Sequence, residues 1–235
     1  FSDLYFQTSF IISDEGDVVL RYRRLISMFA PTPHDVLTKY LDIYGKEGLF
    51  PVVDTPLGRL ACVASEEILY PEIARAHALR GAEVLLHSSS EVGSPQPTPK
   101  NIAKCARAYE NMAYVVSSNT SAITDNPVPA SSTQGHSQIV DYKGSIMAEA
   151  YCGESMVANA LIDIDRLRDA RRKPAMTNTL ARQRLDLFAD IYREHTRYPS
   201  NNLVSDRGDI AVPDRQHFMS QQQAVIDKLL DEGLL

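Results

Sequence analysis

A chain of 235 residues, 44% hydrophobic and 23% charged, is long enough to bury a full core and ordinary in composition for a folded globular protein. Its 24 basic and 30 acidic residues give a net charge of -6, and no Lys/Arg run interleaves with aromatics, so nucleic acid is excluded as an expected partner. No apolar stretch reaches the roughly 18 to 20 residues of a spanning helix, and no basic-then-apolar signal opens the chain, so no membrane partner is expected.

Cys62, Cys105 and Cys152 are odd in number, widely spaced and set among apolar neighbours, which points to reduced core thiols in a cytoplasmic protein. The six histidines are scattered without ligand spacing, so neither a metal nor a cofactor is expected.

Residues 5–12 and 18–23 read as two strands around the turn Asp14-Glu15-Gly16-Asp17. Pro31 and Pro33 then break the pattern, His34 to Tyr44 forms a short helix, and Gly45 and Gly48 end it. A short strand over 50–54 and a turn at Thr55-Pro56-Leu57-Gly58 lead into an apolar strand, 59–64. That strand ends at Ser65; Glu66 and Glu67 follow, and Pro71 opens a helix that Gly81 closes. Strand, sharp turn and helix make an elbow that lifts one side chain clear of the sheet, here Ser65, beside backbone N–H groups able to hold an oxyanion.

A strand over 82–87 follows, closed by Ser88-Ser89-Ser90. Ile102, Cys105, Ala106, Tyr109 and Met112 are spaced as one apolar helical stripe, read as the buried face. After a strand over 113–118, a polar loop runs to Gly135, and 137–141 and 145–150 form a hairpin around Lys143-Gly144. Residues 156–164 alternate as a strand, 165–172 open a charged helix, and 180–193 form a helix with Leu185, Phe188 and Ala189 inward. An amphipathic helix, 214–230, closes the chain.

The order of these features resembles the nitrilase, or carbon–nitrogen hydrolase, superfamily over most of residues 1–187. The resemblance rests on Arg21-Tyr22-Arg23-Arg24-Leu25, Asp54-Thr55-Pro56-Leu57-Gly58, and Ser65-Glu66-Glu67-Ile68-Leu69-Tyr70-Pro71-Glu72, which lies on the family's Cys-Tyr-Asp-x-Arg-Phe-Pro-Glu. It continues through Arg107-Ala108-Tyr109-Glu110-Asn111 to Asn119, Gly135-His136-Ser137-Gln138-Ile139-Val140-Asp141 to Gly144, and Ile162-Asp163 with Arg171-Arg172.

The resemblance implies an α/β fold, a four-layer α-β-β-α sandwich, and hydrolysis of nitriles or small amides by a Glu-Lys-Cys triad. The triad positions depart from that pattern. Ser65 stands at the nucleophile and Arg24 at the lysine, Cys62 lies three residues before the elbow, and the catalytic Glu is expected in a segment before the first hairpin, absent from this chain. Ser65 and Arg24 are therefore the expected catalytic pair, with Arg24 an oxyanion donor rather than a base. Glu66, His87, Ser89 and Glu47 are the expected substrate-binding residues.

The expected function is a carbon–nitrogen hydrolase homologue with a pocket for a small amide or nitrile, its usual chemistry altered or lost. The alternative is a non-catalytic, metabolite-binding or structural subunit. The resemblance also implies a homodimer or larger homo-oligomer. Residues 1–194 are expected to form the hydrolase-like domain, incomplete at its N-terminus, and 195–235 an extension lying across a partner subunit.

Overall fold

The β-branched and small apolar residues of Gly58–Ala64 form strand β4, buried almost along its whole length, and the rest of its sheet is built outward from it. The computed structural model describes residues 1, 4–91, 97–121, 125, 135–150 and 156–235. Cys152 and most of the polar loop after Asn119 lie outside the described residues. The chain divides into two compact units, one of Phe1–Thr8, Arg23–Leu49 and Gln183–Leu235, the other of Ser9–Tyr22 and Phe50–Arg182.

The second unit carries a six-stranded sheet in the order β3 (Val53–Thr55), β4, β5 (Val84–Ser89), β6 (Tyr114–Asn119), β7 (Ser137–Val140) and β8 (Ile146–Ala150). β4, β5 and β6 run parallel, and the other pairings are antiparallel. Helices α2 (Pro71–Leu79) and α3 (Pro99–Asn111) make the two parallel crossovers, as parallel pairing requires. Residues 156–163, expected as a strand, carry no strand pairing. Alternation alone does not make a strand when no neighbouring edge accepts it.

The alternation of strand side chains sorts the sheet's two faces. Leu60, Val84 and Tyr114 share one face, where Met112, Tyr142 and Leu167 complete a core cluster. Against that core packs Ile11 of the hairpin formed by β1 (Thr8–Ile12) and β2 (Val18–Arg23), together with Ile162 and Ile164 around the start of α4 (Ile164–Arg172). A six-stranded mixed sheet and a two-stranded hairpin sheet with flanking helices make this an α/β fold.

Two polar anchors hold α4. Glu83 accepts two bonds from Arg168 and one from the backbone N–H of Arg59, and the Arg168 pair holds its carboxyl below the usual range despite burial. The guanidinium of Arg171 donates to the carbonyls of Met112, Ala82 and Asn111.

In α3 the expected apolar stripe is buried only at its end, where Met112 joins the core, while Cys105 and Ala106 are half-buried. Ile102 is 64% and Tyr109 44% exposed, whereas Ala103, Lys104, Arg107, Ala108 and Asn111 are buried. The strand ends and the elbow beneath the helix present a serine hydroxyl and backbone carbonyls, so the polar stripe turns inward to meet them and Ile102 and Tyr109 face out.

In the first unit, Leu4, Val36, Tyr40 and Leu203 form a small core. Helix α1 (Leu37–Tyr44) is tied to the C-terminal segment by Asn201, whose side chain accepts from the Thr38 N–H, and by the Leu203 N–H donating to Asp35. Helix α5 (Asp186–Glu194) starts later than expected, and Leu185, Leu187, Phe188, Ile191 and Tyr192 are all exposed rather than inward. Helix α6 (Arg215–Asp231) buries Phe218. Among the described residues no helix is long and apolar enough to cross a membrane.

Candidate active site

At the end of β4 the chain enters a single 3-10 turn, Ser65–Leu69, and Ser65 takes the left-handed conformation at φ +50°. For a residue with a Cβ this costs roughly 1 kcal/mol or more, so the surroundings must hold it there. They do so from three sides. The Nε2–H of His87 on β5 donates to the Ser65 carbonyl at 2.8 Å. Glu67, fully buried, accepts the Ala64 N–H at 3.0 Å and the Tyr22 hydroxyl at 2.8 Å. Arg107 on α3 donates to the carbonyls of Ile68 and Leu69, both at 3.1 Å, while also pairing with Glu110.

His87 is 2% exposed, and its Nδ1 accepts from the Ser117 hydroxyl at 2.8 Å. A carbonyl can only accept, so the proton sits on Nε2 and the ring is neutral. Burial pushes its pKa down to about 4, the Ser65 carbonyl opposes that shift, and the positive charges of Lys104 and Lys100 add to it. Both ring nitrogens are thus committed to holding the elbow, and His87 is not aimed at the Ser65 hydroxyl. Among the described residues, that hydroxyl meets no hydrogen-bond partner.

A polar row runs across the sheet from His87. The register pairs His87 with Ser117, Ser117 with Gln138, and Gln138 with Glu149. Glu149 accepts from Gln138 at 2.8 Å and pairs with the His136 ring at 3.0 Å. Above this row Lys104 of α3 is fully buried and donates to the His136 carbonyl at 3.3 Å. Burial lowers its pKa, partly offset by Glu91 and Glu149. Asn119 ties the neighbouring strand ends, donating to Gly135 O and accepting the Glu91 N–H.

The expected site residues separate as follows. Ser65, Glu66, His87 and Ser89 all lie at the ends of β4 and β5, where Ala64 pairs with Ser88, one residue before Ser65 and Ser89 respectively. Ser65, Glu66 and Ser89 are half-buried, and Ser89 accepts from the Lys100 ammonium at 3.2 Å. Arg24 and Glu47 belong to the other unit. There Arg24 is half-buried, with Nε donating to Ile26 O and Nη1 to the Gln7 side chain, and Glu47 is exposed on a short 3-10 turn. Cys62 is buried, shares its sheet face with Leu60 and Leu86, and burial raises its pKa to about 11. Such a thiol is inert. Among the described residues no group of three or more His, Cys, Asp or Glu is placed to hold a metal ion.

Sequence reasoning missed Lys100, Lys104, Arg107 and Asn111. They stand at i, i+4, i+7 and i+11 of α3, a polar stripe as regular as the apolar one, and that spacing was the available signal.

Comparison with known proteins agrees with this architecture. The carbon-nitrogen hydrolase family model matches residues 2–172. The 2-oxoglutaramate amidase of Bacillus subtilis is 29% identical over 170 residues, covering 72% of this chain and 60% of that protein. The omega-amidase NIT3 of Saccharomyces cerevisiae is 23% identical over 190 residues, 81% of this chain and 63% of the relative. The crystal structure of a carbon-nitrogen hydrolase from Helicobacter pylori superposes with a TM-score of 0.63 at 22% identity, covering 81% of this chain and 67% of that one. The chain spans about 40 to 63% of the length of the first three curated relatives it matches. With the elbow, the crossover helices and the family match in agreement over most of its length, this chain belongs to the carbon–nitrogen hydrolase family.

Proposed function

We propose that the chain holds a small amide- or nitrile-type ligand at the ends of β4 and β5 around Ser65, with the family's hydrolytic chemistry altered or lost. The observation that carries this reading is the Ser65 hydroxyl itself. It stands in an elbow that His87, Glu67 and Arg107 rigidify, yet among the described residues it meets no hydrogen-bond partner. A serine hydroxyl needs a positioned base to attack a carbonyl, and neither His87, already bonded at both nitrogens, nor a guanidinium supplies one. Were chemistry retained, Ser65 would be the nucleophile, with Glu66 and Ser89 of the same unit contacting substrate.

The relatives named as amidases support the ligand class. The exposed Ile102 and Tyr109 of α3 and the exposed apolar residues of α5 support assembly as a homodimer or larger oligomer, with the C-terminal segment against a partner subunit. A cytoplasmic location fits Cys62 and Cys105, both free among the described residues.

A panel of small amides and nitriles, followed by ammonia release, intact mass and calorimetry, tests the proposal. Binding without turnover and without an acyl adduct on Ser65 is the expected result. Rapid turnover abolished by S65A would establish intact hydrolase chemistry and overturn the loss.

A further inference from the structure

Helix α3 begins where β5 ends, and the inward polar stripe of the helix starts at Lys100. The Lys100 ammonium lies 3.2 Å from the hydroxyl of Ser89. Ala64 pairs with Ser88 at the end of the parallel ladder, so Ser65 and Ser89 each follow directly on that last pair. Lys100 therefore stands at the same sheet edge and on the same unit as the elbow, and its charge is felt by His87, the ring that holds the Ser65 carbonyl.

Lys100 and Lys104 are one turn apart, a like-charge pair that opposes helix stability. Their charges are balanced differently. Lys104 is fully buried, bonds the His136 carbonyl, and has Glu91 and Glu149 nearby. Lys100 is half-buried, and among the described residues its only hydrogen-bond partner is the neutral Ser89 hydroxyl, which takes one of three N–H donors. An accessible ammonium with two donors to spare, held over a strand end by a neutral acceptor, is suited to bind an anion.

We propose that Lys100 is the cation of the Ser65 site, binding the carboxylate of a small acid seated at the ends of β4 and β5, with Lys104 a positioning residue one turn behind it. This rests on the pocket reading above and assigns its positive charge to α3. Lys104 acts through the rim: its bond to His136 O fixes the Gly135–His136 turn, which Asn119 links to Glu91 at the end of β5. Lys100 makes the ligand contact.

The test pairs butyrate with butyramide, equal in length and differing in charge, titrated calorimetrically against the full protein and its K100M and K100R variants. K100M is expected to weaken butyrate about 10- to 100-fold, the range of a lost charge-assisted hydrogen bond, and butyramide less than about threefold. K100R is expected to restore butyrate binding. Should K100M fold poorly by thermal melting, K100E, which reverses the charge and stays polar, replaces it with the same expected loss. Butyrate binding unchanged in the variant, or butyramide binding to the wild type without butyrate, overturns the role of Lys100 while leaving the pocket standing. Binding of neither ligand overturns both.

Discussion

His87 spends its only proton on the carbonyl of Ser65, 2.8 Å away, and so fixes the backbone of the elbow while leaving the hydroxyl beside it untouched. The imidazole bridges β4 and β6 through Ser117, and it converts a strained left-handed residue into a permanent feature of the strand end.

Removing that bridge has a measurable cost. H87A leaves the Ser65 carbonyl and the Ser117 hydroxyl unpaired and opens a cavity, and urea unfolding should show a loss of about 2 to 4 kcal/mol. H87Q, able to donate from its amide to the Ser65 carbonyl, should lose less than H87A.

Acid should weaken the fold through two buried rings. Burial lowers both His87 and His77 to about 4; for His77 the positive charge of Arg80 adds to the shift and the Pro51 backbone opposes it. His77 is fully buried, packed edge-on against Tyr22 and Phe50 at centroid distances of 5.2 and 5.6 Å. A folded pKa below the unfolded 6.5 means that the unfolded chain binds protons first, so stability is full above about pH 6.5 and falls until about pH 4. Each ring contributes on the order of 3 kcal/mol to that fall. Chemical denaturation between pH 8 and 4 should show it, and H77F, which keeps the ring stack without a titrating group, should flatten part of the slope.

The buried carboxylate of Glu67 is expected to be intolerant of amide replacement. It accepts from both the Ala64 N–H and the Tyr22 hydroxyl, and a glutamine offers an acceptor to only one of them. E67Q should lose about 1 to 3 kcal/mol, and Y22F about 1 kcal/mol, with a double-mutant cycle in denaturant giving positive coupling between them.

Thiol chemistry separates position 65 from position 62. In the native wild type, Cys62, with its pKa raised to about 11 by burial, should resist iodoacetamide at pH 7.5. S65C should add one alkylated site, located at the elbow by peptide mapping, because Ser65 is half-buried and its side chain is not tied down.

Much of this protein was legible from residues alone. The hairpin around Gly16, the elbow strand ending at Ser65, the crossover helix from Pro71 and the hairpin around Gly144 each carry local signals, set by turn chemistry and period, that need no tertiary partner to be read. The family likeness, carried by short runs in a fixed order, was legible for the same reason.

What a side chain faces was not local, and only the tertiary structure decided it. The two stripes of α3 are equally periodic, and the sequence cannot say that Lys100, Lys104 and Arg107 turn inward, because the groups that meet them are the Ser89 hydroxyl of β5, the His136 carbonyl just before β7 and the carbonyls of the turn after Ser65. Likewise only the folded sheet set Ser65 on one side of His87 and Ser117 on the other. Periodicity fixes which residues share a face; the polarity of what lies beneath determines which face is buried.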